Sequence, residues 1–328
     1  MNQTGSGNEP ARMRAVGVPR FGGPEVLEII ELPLPEPGDG QVRIRVAAAA
    51  VNPTDTSLRE SGRHGQLDAT DAPFVPGMEL AGTVDAVGAG VGWKPGDAVM
   101  AIVFPGADQI GAQAEFVVVS ADSVAHAPKG ASMAEAATLP MNGLTARQAL
   151  DILAVSPGEC LAITGAAGAV GGYAIQLAKA AGVRVIADAK PEDEELVRRL
   201  GADVVVPRGQ DVAAAIRAVE PDGVPAALDA ALIGAPLLAA VRDGGKLVSA
   251  RPFKGESERD ITVTRVLVTE YLHAGDKLAE LGKLAEDGAL TLRVADTMPP
   301  ERVAEAHRKL AAGAVGGYAI QLAKAAGV

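Results

Sequence analysis

Short apolar runs alternate with helical patterns from residue 160 to residue 250, and this alternation limits the fold more than any other feature of the chain. The runs are CLAITG (160–165), VRVIADA (183–189), ADVVVP (202–207), AALDAAL (226–232) and GKLVSA (245–250). VGGYAIQLAKAAG (170–182) and PEDEELVRRLG (191–201) lie between them with helical spacing. Strands this rich in Val, Ile, Leu and Ala are buried on both faces, which calls for a parallel sheet covered by helices on each side. A doubly wound α/β domain is expected. Its first strand-to-helix junction carries Gly165, Ala166, Ala167, Gly168, Ala169, Val170 and Gly171, an A-x-G-x-x-G pattern over 166–171. Small residues there let the backbone approach a pyrophosphate, and the start of the helix offers free N–H groups and a partial positive charge. A bare glycine pattern is weak, but here a strand precedes it and a helix follows, so the stretch reads as a dinucleotide-binding turn.

Ahead of this region the texture differs. Residues 13–131 are β-rich and punctuated by Pro and Gly, as in VRIRVAAAAVNPTD and ELAGTVDAVG. At SMAEAATLPMNGLTARQALDIL (132–153) the spacing turns helical. Beyond 270 come a helical stretch (276–288), a strand (290–297) and another helix (300–310). The expected layout is a flexible tail over 1–12, a β-rich domain over 13–131 and a dinucleotide domain over 132–270. A net charge of −11 leaves no basic patch for nucleic acid. No apolar run approaches the roughly 20 residues that span a bilayer. MNQTGSGNEPAR lacks the basic-then-apolar pattern of a signal peptide, so no membrane partner and a cytoplasmic location are expected. Cys160 is the single cysteine, which excludes an intrachain disulfide and any multi-Cys metal site.

The stretch AAGAVGGYAIQLAKAAGV occurs at 166–183 and again, identical at every position, at 311–328. The second copy follows a helical pattern and has no strand after it, so no βαβ unit and no dinucleotide site are expected there. Its spacing predicts a helix. A recent duplication, a cloning event and an error in the recorded sequence all account for so exact a repeat.

GGPEVL (22–27), VNPTD (51–55), PFVPGMELAGTVDAVG (73–88), KPGD (94–97), LTARQAL (144–150), AAGAVG (166–171) with QLAK (176–179), and LGAD (200–203) follow one another in a known order. Together they resemble the zinc-free quinone oxidoreductase (zeta-crystallin-like) and enoyl reductase branch of the medium-chain dehydrogenase/reductases, over roughly residues 13–312. The resemblance implies a GroES-like β-rich domain plus a Rossmann domain, with the active site between them and part of 271–328 returning to the first domain. In zinc-dependent relatives, catalytic ligands occupy the positions held here by Asn52, Met78 and Met141, and an amide with two thioethers makes a poor zinc site. Glu79 beside Met78 is kept. His64, His126, His273 and His307 lack ligand spacing and read as surface or loop residues. No metal is therefore expected.

The implied reaction moves hydride from NADPH, with NADH an alternative, to a quinone or to the activated C=C of an enone or enoyl substrate. Asn52, Asp55 and Thr145 are the catalytic candidates: Asn52 to hydrogen-bond a substrate oxygen or the nicotinamide ribose, Asp55 to orient its loop, Thr145 to contact the cofactor. An Asn-Pro turn making only local bonds is an equal reading of Asn52. Cofactor contacts are assigned to Asn52, Thr145, Ala166–Gly171, Asp188, Lys190, Arg208, Ala231, Ser249 and Phe253. Asp188 suits the ribose hydroxyls of NAD, whereas Lys190 and Arg208 suit the 2′-phosphate of NADPH. Thr56, Phe104 and Met141 are the substrate candidates, and 59–73 reads as a pocket-lining loop. No proton donor is evident, leaving solvent for that role. Deletion of the family's closing strand by the second copy predicts a lost sheet edge and a loosely held helix. A homodimer is the family expectation, through 260–268. A cofactor-binding protein without redox turnover, or a biosynthetic lyase or cyclase, fits the same motifs.

Overall fold

The structure is a computed structural model that describes residues 11–313 and 317–321, except 66, 69–72, 107 and 254. Expectations for 1–10 and 322–328 lie outside the described residues. The chain opens with strands β1 (Arg12–Gly17), β2 (Glu28–Pro33) and β3 (Gln41–Val51), then helix α1 (Pro53–Gly65) and strands β4 (Glu79–Val87), β5 (Ala98–Ile102), β6 (Phe116–Ser120) and β7 (Val124–His126). Helices α2 (Met133–Ala136) and α3 (Pro140–Leu153) lead into β8 (Cys160–Thr164), α4 (Ala169–Ala180), β9 (Arg184–Ala189), α5 (Glu194–Arg199), β10 (Val204–Pro207), α6 (Val212–Val219), β11 (Val224–Asp229), β12 (Val241–Ser249) and β13 (Thr262–Arg265). The chain closes with α7 (Gly275–Glu286), β14 (Val294–Met298), α8 (Val303–Ala311) and β15 (Gly317–Gln321).

The alternating region forms a six-stranded sheet, all parallel, in the order β10-β9-β8-β11-β12-β13. All five residues of β8 are buried, as a strand covered on both faces requires. Strand order reverses between β8 and β11, the place where open α/β sheets bind ligands beyond their carboxyl ends. The α/β class, a GroES-like β-rich unit beside a doubly wound parallel sheet, is as the sequence implied. A second sheet has the order β14-β15-β3-β4-β5-β7, with β6 also paired to β3.

The repeated stretch departs from expectation. In the first copy GYAIQ (172–176) lies inside α4; in the second the same five residues (317–321) are strand β15. β15 pairs antiparallel with β3, from Tyr318 opposite Val51 to Gln321 opposite Ala48, and parallel with β14. Ala319 and Ile320 are fully buried there. The helix expected of the second copy is therefore wrong over 317–321, and the sheet keeps a strand between β14 and β3. The local sequence suits either state, and the two unfilled ladders decide for strand. The loop expected over 59–73 is also corrected: residues 59–65 continue α1. His307 is a third correction, being fully buried in α8, where its Nδ1 meets Arg59 Nη1 at 2.8 Å. Burial and the adjacent guanidinium hold the imidazole neutral, its pKa pushed down to about 3.

Candidate active site

The glycine turn is fixed by contacts that only glycine permits. Gly165 has φ +69°, and a Cβ there would lie 2.8 Å from the Ala230 carbonyl carbon. A Cβ on Gly171 would lie 2.3 Å from the Gly165 carbonyl oxygen. The turn thus closes tightly and leaves the first-turn N–H groups of α4 facing the end of the sheet, where no side chain caps the helix. This cradle fits the pyrophosphate of a dinucleotide. Below it, Thr164 Oγ1 donates to Asp229 Oδ1 (2.8 Å), and Asp229 accepts the Ile233 and Gly234 N–H groups. These bonds tie the β8 turn to the β11 loop.

A cavity of about 350 Å³ opens at this point. Gly165, Gly168, Ala169, Val170 and Gly171 form one wall; Asn52, Thr54, Met141, Asn142 and Thr145 form the facing one. Val51, Val266, Val268, Leu232 and Leu310 make much of the remainder apolar. Asn52, Met141 and Thr145 were expected at the site, and all three line this cavity.

The facing wall is held by a buried polar cluster. Glu79, at the start of β4, is fully buried. Its Oε1 accepts from Asn52 Nδ2 (2.8 Å) and Asn142 Nδ2 (2.7 Å), and its Oε2 accepts the Met141 N–H (2.7 Å). Asn142 Nδ2 also donates to Asn52 Oδ1 (2.9 Å). Both hydrogens of the Asn142 amide are used, whereas Asn52 Nδ2 keeps one hydrogen beyond the one given to Glu79. Turning either amide over would set an oxygen against Glu79 Oε1, so the acceptor role of that oxygen fixes both orientations. Burial raises Glu79 to about pKa 7 against the lowering effect of these donors. Asp55 closes the first turn of α1: its carboxylate accepts the Asn52 N–H (2.7 Å) and the Gly77 N–H (3.0 Å). Thr145 Oγ1 donates to the Met141 carbonyl (2.6 Å).

The other candidates spread along the sheet end. Ala166 and Ala167 are buried beneath the turn. Asp188, 2% exposed, accepts the Ala166 N–H through Oδ1 (3.1 Å), while Oδ2 has no hydrogen-bond partner and lies 3.7 Å from Arg208 Nε. Burial pushes the Asp188 carboxyl up. Lys190 is exposed, 3.8 Å from Glu192. The Ala231 N–H reaches Thr164 Oγ1 (3.3 Å), and Ser249 is buried at the end of β12 with its Oγ 3.5 Å from the Arg251 N–H. Thr56 bonds within its own helix, to the Pro53 carbonyl (2.8 Å), and Thr54 lines the cavity in its stead. Phe104 and Phe253 are half-buried against the cores and are not among the lining residues. Asn142 was missed by the sequence reading; the one signal was its place beside Met141.

Known proteins match both halves of this arrangement. The family profile described as alcohol dehydrogenase GroES-like domain matches residues 38–129, and that described as zinc-binding dehydrogenase matches 169–274. The chain is similar to the chloroplastic NADPH-dependent alkenal/one oxidoreductase of Arabidopsis thaliana, 35% identical over 259 residues, which covers 76% of this chain and 65% of the relative. It spans between 52% and 65% of the length of the first three curated relatives it matches. Among solved structures it is similar to the quinone oxidoreductase from Coxiella burnetii (28% identity, TM-score 0.85, covering 95% of this chain and 100% of that one). It is also similar to a mycobacterial protein solved in complex with NADPH (30% identity, TM-score 0.81, covering 94% and 99%). With two matching profiles, a shared fold over nearly its whole length and the glycine turn in its expected place, the chain belongs to the medium-chain dehydrogenase/reductase superfamily, in its quinone oxidoreductase and enoyl reductase branch.

Proposed function

We propose that the protein is a metal-independent, NADPH-dependent oxidoreductase acting on a quinone or on the activated C=C of an enone or enoyl substrate. One observation carries the reading: the glycine turn and the Asn52 amide face each other across a single, largely apolar cavity. A reduced nicotinamide bound there would supply the hydride. The chain's own part is position and polarity. Asn52 Nδ2, held by Glu79 and Asn142, has one hydrogen to offer a carbonyl oxygen as negative charge develops on it. The apolar walls exclude water from the reacting carbon. Among the described residues no Asp, Glu, His, Lys, Cys or Tyr lines the cavity, which supports solvent as the source of the proton that completes the reduction.

The donor set does not fit zinc. The Asn52 amide is engaged by Glu79 and Asn142, Met78 is buried in the core, and the Met141 sulfur lies 3.8 Å from the Thr54 hydroxyl. Among the described residues no three His, Cys, Asp or Glu side chains converge.

NADPH is favoured over NADH because Asp188 is turned inward onto the Ala166 N–H, while Arg208 stands 37% exposed beside it. The Arabidopsis relative and the mycobacterial neighbour support the same cofactor. β13 ends the parallel sheet and leaves one ladder edge unpaired among the described residues, which supports a homodimer through that edge. No described helix is long and apolar enough to cross a membrane.

The test is oxidation of NADPH and of NADH, followed by absorbance, with a benzoquinone and a short alkenal offered separately. Turnover with NADPH, weakened in Arg208→Ala while the NADH rate holds, is the expected result. Cofactor binding without turnover on either substrate overturns the redox reading.

A further inference from the structure

Arg293 sits in the segment that leads from α7 into β14, yet its guanidinium reaches the glycine turn. Nη2 donates to the carbonyl of Ala167 (3.1 Å) and to that of Gly168 (2.7 Å). Among the described residues it makes no ion pair with a carboxylate. Burial lowers its pKa against the raising effect of the more distant Asp193 charge, so the positive charge is held at a cost with no carboxylate in direct contact among the described residues. Gly172 makes room for it: a Cβ there would lie 2.7 Å from Arg293 Nη2.

The Gly168 carbonyl also accepts the Gly172 N–H (2.9 Å), the first helical bond of α4. That carbonyl belongs to the same peptide unit as the Ala169 N–H, which has no partner within the helix, and Ala169 is one of the residues of the cavity wall. Two donors on the oxygen fix the plane of this peptide and polarise its N–H. The first turn of α4 holds no basic side chain. Arg293 is thus a positive charge placed directly behind the anion cradle.

We propose that Arg293 is a positioning residue for the cofactor's pyrophosphate: it orients and polarises the Ala169 peptide and adds its charge to the helix start. The proposal rests on the dinucleotide reading above. It assigns the site a contribution from the closing segment of the chain, so that affinity for the anion depends on how 290–293 is seated.

The test compares the intact protein with Arg293→Met, Arg293→Lys and Gly172→Ala. Calorimetry with ADP-ribose, which carries the pyrophosphate, is set beside adenosine, which lacks it, and thermal unfolding is read in parallel. Arg293→Met is expected to weaken ADP-ribose and NADPH about tenfold, the scale of a charge at a partly buried helix terminus, and to leave adenosine unchanged. Arg293→Lys recovers part of the loss. Gly172→Ala gives the same selective loss with Arg293 still present, because its methyl displaces the guanidinium. Unchanged ADP-ribose affinity in Arg293→Met and Gly172→Ala overturns the proposal, as does equal weakening of adenosine, which marks a general collapse of the turn. If the unaltered protein itself binds neither ADP-ribose nor NADPH, the dinucleotide reading is what has failed.

Discussion

Glu79 gives the stability of the protein a calculable dependence on pH. Its pKa rises from the ordinary 4.5 to about 7 because burial disfavours the charge more than the hydrogen bonds from Asn52, Met141 and Asn142 favour it. In the unfolded chain the same acid titrates near its ordinary value. Between these limits the native state keeps a proton that the unfolded state has released, so stability falls as pH rises. The slope is about 1.4 kcal/mol per pH unit, or about 3 kcal/mol over the whole window. The penalty is absent below the lower limit and complete above the upper one. Urea unfolding of the parent and of Glu79→Gln, repeated from about pH 5 to about pH 8, isolates this contribution because the other titrating groups are common to both. The parent is expected to lose about 2–3 kcal/mol relative to the variant across that range. The offset between the two proteins at any one pH is a separate matter, since a glutamine amide cannot accept on both atoms and leaves a donor facing a donor. A difference that stays flat, or that grows in the parent's favour as pH rises, refutes the reasoning.

Other outcomes follow from single contacts. Asn52→Ala should lower kcat/KM with an enone by about 100-fold, the scale of one lost oxyanion donor, as steady-state rates will show. Gly171→Ala should abolish measurable cofactor binding by fluorescence titration, since its methyl would sit 2.3 Å from the Gly165 carbonyl oxygen. Gln176 accepts the Thr291 N–H at 2.8 Å, whereas Gln321, its counterpart in the second copy, is exposed. Chemical denaturation should therefore charge about 1–2 kcal/mol to Gln176→Ala and under about 0.5 kcal/mol to Gln321→Ala. Equal costs at the two positions would contradict β15.

What could be read from the chain was what is local. The glycine turn, the strand before it and the helix after it lie within one continuous stretch, and the close contact of Gly171 with Gly165 follows from a short spacing. Asn142 and Glu79 are 63 positions apart, and nothing in either neighbourhood announces the bond between them. Met141 was found and Asn142 was not, because motif alignment points to a position and not to the hydrogen bonds that its neighbour makes. Thr56 was named and Thr54 was not considered, for want of the helical phase of α1, which sets Thr54 toward the cavity and turns Thr56 back on its own helix. Residues 59–65 looked like loop because Gly62 and the polar side chains outweigh the helical period, yet the helix buries Leu58 and Arg59. Residues 317–321 were misread because helical spacing is all the pentapeptide shows, while the demand of β3 for a partner is written in residues 48–51.

The two copies of GYAIQ also set an order in which the chain must fold. Strand β3 is made early and offers its edge long before 317–321 exist, and during that interval the pentapeptide at 172–176 carries the same side chains that the edge accepts. Withdrawing it into α4, under α3 and against β8, removes the competitor before its twin emerges. Synthesis from the N-terminus enforces this sequence of events. Refolding from denaturant releases both pentapeptides at once to a single slot, and each chain in which 172–176 takes it has left the glycine turn unmade. Recovery of cofactor-binding protein from denaturant should accordingly fall short of the yield obtained by direct synthesis.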